Sequence, residues 1–269
     1  MIPRASLVLA ALAGLVTTAR AGEVEHAFAP VTTRVGGATI DWTHMVLTMS
    51  EQAHPAPGSH AELQVVEQQV RVRLGPRVLE ASGQVRLDHQ TNVRDLIDTH
   101  TPLGDHLGQE SSSWHVSEAR YYTSGLVEIT AELDLETWLR PAAYAGASPG
   151  DPPQGERSRF TGIVVDARGI DAEGALAPRV LSNDGDVLFA IDRVHEAVAR
   201  KHTVVQYVSD PADRLAYQRA GDNPLFLRAE RASDGVDLVL TVDDSTRLRT
   251  VSRDAHLLTE ALFVFVLDP

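Results

Sequence analysis

Four groups of residues have types and spacings that could do chemistry. Gly146-Ala-Ser148-Pro-Gly150 matches the Gly-x-Ser-x-Gly pattern in which a serine on a strained strand-to-helix turn exposes its Oγ for acyl transfer. Small residues precede Ser148 where a strand is needed, and Pro149, Pro152 and Pro153 disfavour the following helix. The segment therefore reads as a linker, and a hydrolase using Gly146, Ser148 and Gly150 stands only as an alternative. His195-Glu196 opens like a zincin helix, but the place of the second ligand, four residues after the first, is Ala199. His202, seven residues on, could share a helical face with His195, so a histidine metal site is a second alternative. His100 and His106 flank Asp105 with no third ligand nearby. No catalytic residue, metal ligand or cofactor is assigned from these.

The fourth group lies in residues 160–170, "FTGIVVDARGI", an apolar run that stops at an acid and a base beside a glycine. A dinucleotide site needs a Gly-x-Gly-x-x-Gly turn here and a phosphate loop needs Gly-Lys-Ser/Thr; Asp166-Ala-Arg168-Gly169 supplies neither. The residues read as a corner, with Asp166 and Arg168 satisfying backbone groups and each other and Gly169 taking a positive φ.

The elements that must position these residues follow from periodicity. Residues 40–50, "IDWTHMVLTMS", read as one strand. Ser59-His-Ala-Glu62 has capping-box spacing, and Leu63, Val66, Val70 and Leu74 recur at helical spacing until Gly75-Pro76 breaks or kinks the run. Short helices are expected over 91–110, one starting at Thr101-Pro102. Val127, Ile129, Ala131, Leu133 and Leu135 alternate with polar residues, as in a strand with one wet face, paired to 113–122 through Thr123-Ser124-Gly125. Asp184-Gly185 and Asp234-Gly235 are hairpin signals, and "ALFVFVLD" is a last apolar strand. The expected fold is α+β, mainly antiparallel sheets with a few packed helices. Its parts are a signal peptide (1–21), an N-terminal α+β unit (22–140), a Pro/Gly-rich linker (141–158) and a C-terminal α/β unit (159–269).

The signal-peptide expectation rests on Arg4, the apolar run from Ala5 to Val16, and Ala19-x-Ala21. That run is shorter than the ~20 residues that span a bilayer. Export to the periplasm or cell envelope follows. The net charge of -13 and the lack of a basic run disfavour nucleic acid as a partner. The chain has no cysteine, which removes thiol catalysis, cysteine-type zinc sites and a lipoprotein anchor.

The block "TGIVVDARGIDAEGALAPRVLSNDGDVLFA" resembles the Thr-Gly-Leu-Val-Val-Asp-Ala-Arg-Gly … Pro … Asp-Gly pattern of bacterial envelope proteins similar to the LPP-twenty lipoprotein family, which includes the flagellar basal-disk lipoprotein. "DWTHMVLTMS", "TNVRDLI", "ARYYTSGLVEITAELDL", "DNPLFLRA" and "LFVFVLD" fit the same pattern in order. The resemblance implies a non-catalytic α/β envelope protein, possible flagellum association, and partners among envelope proteins or copies of itself. Its signature positions here are Thr161, Gly162, Asp166, Arg168, Gly169, Pro178, Asp184 and Gly185.

Overall fold

The computed structural model describes residues 28–55, 63–149, 159–251 and 255–269. The expected signal peptide, the Ser59–Glu62 capping box and residues 150–158 of the expected linker lie outside the described residues. Strands β1 (Thr32–Val35), β2 (Ala38–Asp41), β3 (Val46–Ala53), β4 (His115–Tyr121) and β5 (Val127–Asp134) form an antiparallel sheet in the order β1-β2-β3-β5-β4. The alternation in β5 is realised, with Val127, Ile129, Ala131 and Leu133 buried. Residues 40–50 are two strands instead of one. Asp41 accepts from the His44 amide at 2.9 Å and pairs with His44 Nδ1 at 2.7 Å, while Met45 takes φ 55°, so Trp42–Met45 turn the chain back on itself.

Three helices accompany this sheet, the first packed on β3 and β5 and the other two packed on each other. Helix α1 (Leu63–Ser82) buries Val66, Val70 and Leu74 as expected, but Leu63 is exposed. The helix is not broken at Gly75-Pro76 but continues through it. Pro76 faces water, and Val78 and Ala81 are buried beyond it, so packing against the sheet offsets the hydrogen bond that proline cannot make. Helices α2 (Val93–Asp98) and α3 (Pro102–Glu110) start on Asn92, in a capping box with Asp95, and on Thr101.

Helix α4 (Leu135–Ala145) corrects the expected linker boundary, because residues 141–145 are helical. Asp134 caps it, and Leu135, Trp138, Leu139 and Ala143 are buried, with Trp138 Nε1 donating to the Leu107 carbonyl at 3.0 Å. Pro141 is carried inside because this apolar face decides the conformation.

The remaining strands are β6 (Ile163–Asp166), β7 (Val180–Leu181), β8 (Val187–Phe189), β9 (Gln206–Val208), β10 (Leu225–Ser233), β11 (Asp237–Leu240) and β12 (Phe263–Val266). They form a mixed sheet in the order β8-β7-β11-β10-β6-β12-β9. Strand β6 is central and parallel to both β10 and β12. Its Ile163, Val164 and Val165 are all buried, as a strand covered on both faces requires. Both Asp-Gly pairs make hairpin turns, β7–β8 and β10–β11, with positive φ at Gly185 and at Asp234 and Gly235. The fold is therefore α+β, with more antiparallel than parallel pairings.

The linking helices of this half are α5 (Glu196–Ala199), α6 (Arg214–Ala220), α7 (Val242–Val251) and α8 (Ala255–Thr259), with a 3-10 turn at Ile191–Arg193. Ala216 and Ala220 of α6 pack with Val164, Val208 and Val264 on one face of the sheet. Ile163 and Val165, on the other face, join one core with Leu47, Ile129 and Val66 of the first unit. The two sheets thus share a hydrophobic core. Residues 174–177 clasp them: Leu176 and Ala177 amides donate to the Arg86 and Leu87 carbonyls, and the Tyr207 hydroxyl bonds both backbone groups of Ala175. Gly174 lies against Trp42, whose ring would stand 2.3 Å from any added Cβ.

Candidate binding site at the carboxyl end of the central strand

The two ends of Thr161–Gly169 do different work. At the amino end, Thr161 Oγ1 donates to the Ala220 carbonyl at 2.6 Å and accepts from the Asn223 amide at 3.0 Å. A Cβ on Gly162 would sit 2.4 Å from Ala220 Cα, and one on Gly221 2.6 Å from Thr161 Oγ1. Thr161 and Gly162 are therefore the contact that lets the end of α6 lie directly on the start of β6, and a side chain larger than hydrogen is excluded at 162.

At the carboxyl end the side chains turn outward. Arg168 grips Asp166 with both prongs, Nε to Oδ1 at 2.9 Å and Nη2 to Oδ2 at 2.7 Å, and its Nη1 is 3.9 Å from Asp210. The hydrogen bonds from Arg168 hold the Asp166 carboxyl below its ordinary range, and the same pair raises Arg168. Asp166 stays ionised near neutral pH, which makes it a poor proton donor for acid catalysis. Gly169 turns the corner at φ 79° and donates its amide to Asp268 at 2.7 Å, with nothing within 4 Å of where a Cβ would be.

The expected corner is realised in part: Asp166 accepts from the Arg168 amide at 3.2 Å as well as from the guanidinium, whereas the Arg168 side chain satisfies no backbone group among the described residues. The side chains of Arg168 and Asp166 are 41% and 37% exposed. Beside the pair, β10 presents Phe226, 52% exposed, and Arg228 on its outer face. Asp244, on α7, accepts from the Arg228 amide at 2.8 Å and pairs with Arg247 at 2.5 Å. Asp166, Arg168, Phe226, Leu227, Arg228 and Asp244 line a depression of about 460 Å³. It opens where β6 ends, the place where parallel sheets leave room for ligands. Aromatic rings and arginines are residue types enriched at protein interfaces.

The other signature positions are structural. Pro178 is buried at the end of the clasp, and Asp184 and Gly185 form the β7–β8 turn, where the Gly185 amide donates to Ser182. Ser148 follows helix α4 where an elbow requires a strand, and its backbone pairs with that of Val194 and Glu196 beside His195. His195 caps α5 through Nδ1, and this helix is too short to carry His202 on the same face. Among the described residues no group of three His, Asp or Glu side chains is placed to hold a metal ion.

Sequence reasoning missed Gly174, whose need for a bare Cα comes from a ring 132 positions away in the chain. It also missed the buried Asp237–Arg179 pair, with Nε at 2.7 Å and Nη2 at 2.6 Å from one carboxylate oxygen. Phe226 carried a signal, as the apolar residue out of phase with Leu225, Leu227 and Ala229 in an alternating strand.

Residues 162–269 match the family model described as the second domain of Treponema pallidum Tp0624. The match begins at Gly162 and takes in the whole seven-stranded sheet together with the depression. A search of the curated proteins finds no match to the chain.

Proposed function

We propose that the protein is an exported, non-catalytic binding component of the cell envelope, and that it takes a protein partner at the carboxyl end of β6. The observation that carries this is the exposed Phe226 beside Arg228 and the Asp166–Arg168 pair in one depression. The ion pair is too exposed to add much stability, and the acid is held charged instead of poised for proton transfer. The Ala19-x-Ala21 pattern supports export, and the resemblance to LPP-twenty-like proteins supports an envelope role, including association with a flagellar or outer-membrane assembly. No helix among the described residues is long and apolar enough to cross a membrane.

A photo-crosslinking residue placed at Phe226 in the native host tests this reading. The expected result is a discrete crosslinked envelope protein from position 226 and none from Tyr217, which is more exposed, on α6. Identical crosslinks from both positions, or none from 226, would remove the support for the site.

A further inference from the structure

Helix α6 carries a second feature, independent of the depression beside β6. Arg219 is mostly withdrawn from solvent, yet no carboxylate lies within 4.0 Å of it among the described residues. It is held only by neutral groups: Nη1 donates to the Thr203 and Ala261 carbonyls at 2.9 and 3.2 Å, and Nη2 donates to Thr203 Oγ1 at 3.0 Å. Burial accordingly pulls its pKa down. These bonds occupy the Nη1–Nη2 end of the guanidinium. What remains is Nε–H and the second hydrogen of Nη2, the edge with which Arg168 grips both oxygens of Asp166.

Arg219 lines a cavity of about 350 Å³ whose apolar wall is Val198, Leu215 and Leu262. His202 lines it too, and its ring has no hydrogen-bond partner among the described residues. The groups acting on His202 are Arg219 from α6, Lys201 beside it, and Arg140 and Glu136 from α4; Glu260 lines the same cavity. Arg140 and Glu136 pair with each other at 3.7 Å. In a chain of net charge -13 the surroundings of the ring still hold a local excess of positive charge: Arg219 and Lys201 against Glu260, with the best-placed cation lacking a counter-ion. Such a charge is stabilised by an anion brought to it.

We propose that this cavity binds a small aliphatic monocarboxylate, its carboxylate on the free edge of Arg219 and within reach of His202, its alkyl chain against Val198, Leu215 and Leu262. Glu260 and Glu136 select against a doubly charged anion, and the apolar wall selects for a short tail.

The test uses the whole exported chain and sodium butyrate, followed by NMR of the His202 ring and the Arg219 Nε–H. The expected result is saturable shifts at both groups with a Kd of roughly 1 mM, in line with six heavy atoms and one charge-assisted contact. The His202 midpoint should move up in pH as the bound anion favours the imidazolium. Butylammonium and phosphate should cause no such shifts. Arg219→Lys keeps the charge and loses the fork, and should weaken butyrate about tenfold or more. Val198→Phe, which fills the cavity and leaves Arg219 in place, should abolish binding without unfolding. Absence of saturable shifts in the wild-type chain, phosphate binding in preference to butyrate, or unaltered affinity in Val198→Phe would each overturn the proposal.

Discussion

Gly162 and Arg168 stand at opposite ends of one short strand, and their surroundings set opposite tolerances. At Gly162 the nearest neighbour is backbone, which cannot swing aside, so Gly162→Ala forces β6 and α6 apart. A loss of ~1 to 3 kcal/mol or more is expected from overpacking, read as a lower denaturant midpoint at unchanged slope. Arg168→Ala removes an exposed pair and should change stability by less than ~1 kcal/mol. Its effect shows in titration. The folded Asp166 pKa is lowered, so the pair's contribution is present above the unfolded carboxylate pKa and is lost as pH falls through the folded value. In Arg168→Ala the Asp166 carboxyl resonance should titrate at higher pH than in wild type. An unchanged midpoint would mean that the pair does not form in solution. The Asp166–Arg168 pairing and the turn at Gly169 are readable from four adjacent letters, because both are local. The intolerance at Gly162 and Gly174 is not, because α6 and Trp42 reach these glycines only after the chain has folded.

At the level of elements, periodicity locates strands and helices wherever one face is buried and the other wet. Strand β5 is such a case. Ile129→Asp puts an unpaired charge on the core face and should cost several kcal/mol, whereas Glu128→Ala on the wet face should stay within roughly ±0.5 kcal/mol apart from its bond to Tyr122. Thermal melts of the two variants check this, and equal shifts would contradict the register of the sheet. The elements that were illegible are those where a local rule loses to packing. Proline signals the end of a helix at Pro76 and Pro141, yet both helices continue because Val78, Ala81 and Ala143 are buried at or beyond the proline. Conversely, the run 40–50 is apolar enough for one strand, but Asp41 and Met45 make a turn that hydrophobicity does not record. Parallel pairing of β6 with β10 and β12 joins residues about 60 and 100 positions apart, which no local pattern encodes.

The whole molecule is two sheets on a shared core, with an outer surface that carries a bare aromatic ring on β10, beside the central strand β6. Because Trp42, Gly174 and Tyr207 meet at the clasp, the two halves should unfold together. Calorimetry of the wild-type chain should give a single transition, and Tyr207→Phe, which strands the Ala175 backbone groups, should lower it by the equivalent of ~1 to 3 kcal/mol. Two separated transitions would mean that the halves are independent. The claim on which the functional account turns is that the amino end of β6 serves the fold and the carboxyl end serves a partner. The most direct measurement is a comparison of Phe226→Asp with wild type, by thermal melt and by quantitative capture of envelope proteins under native conditions. The account predicts a melting temperature within about 3 °C of wild type, as for an exposed position, together with loss of the proteins that wild type retains. Retention of the same proteins at wild-type yield by a folded Phe226→Asp chain would contradict it.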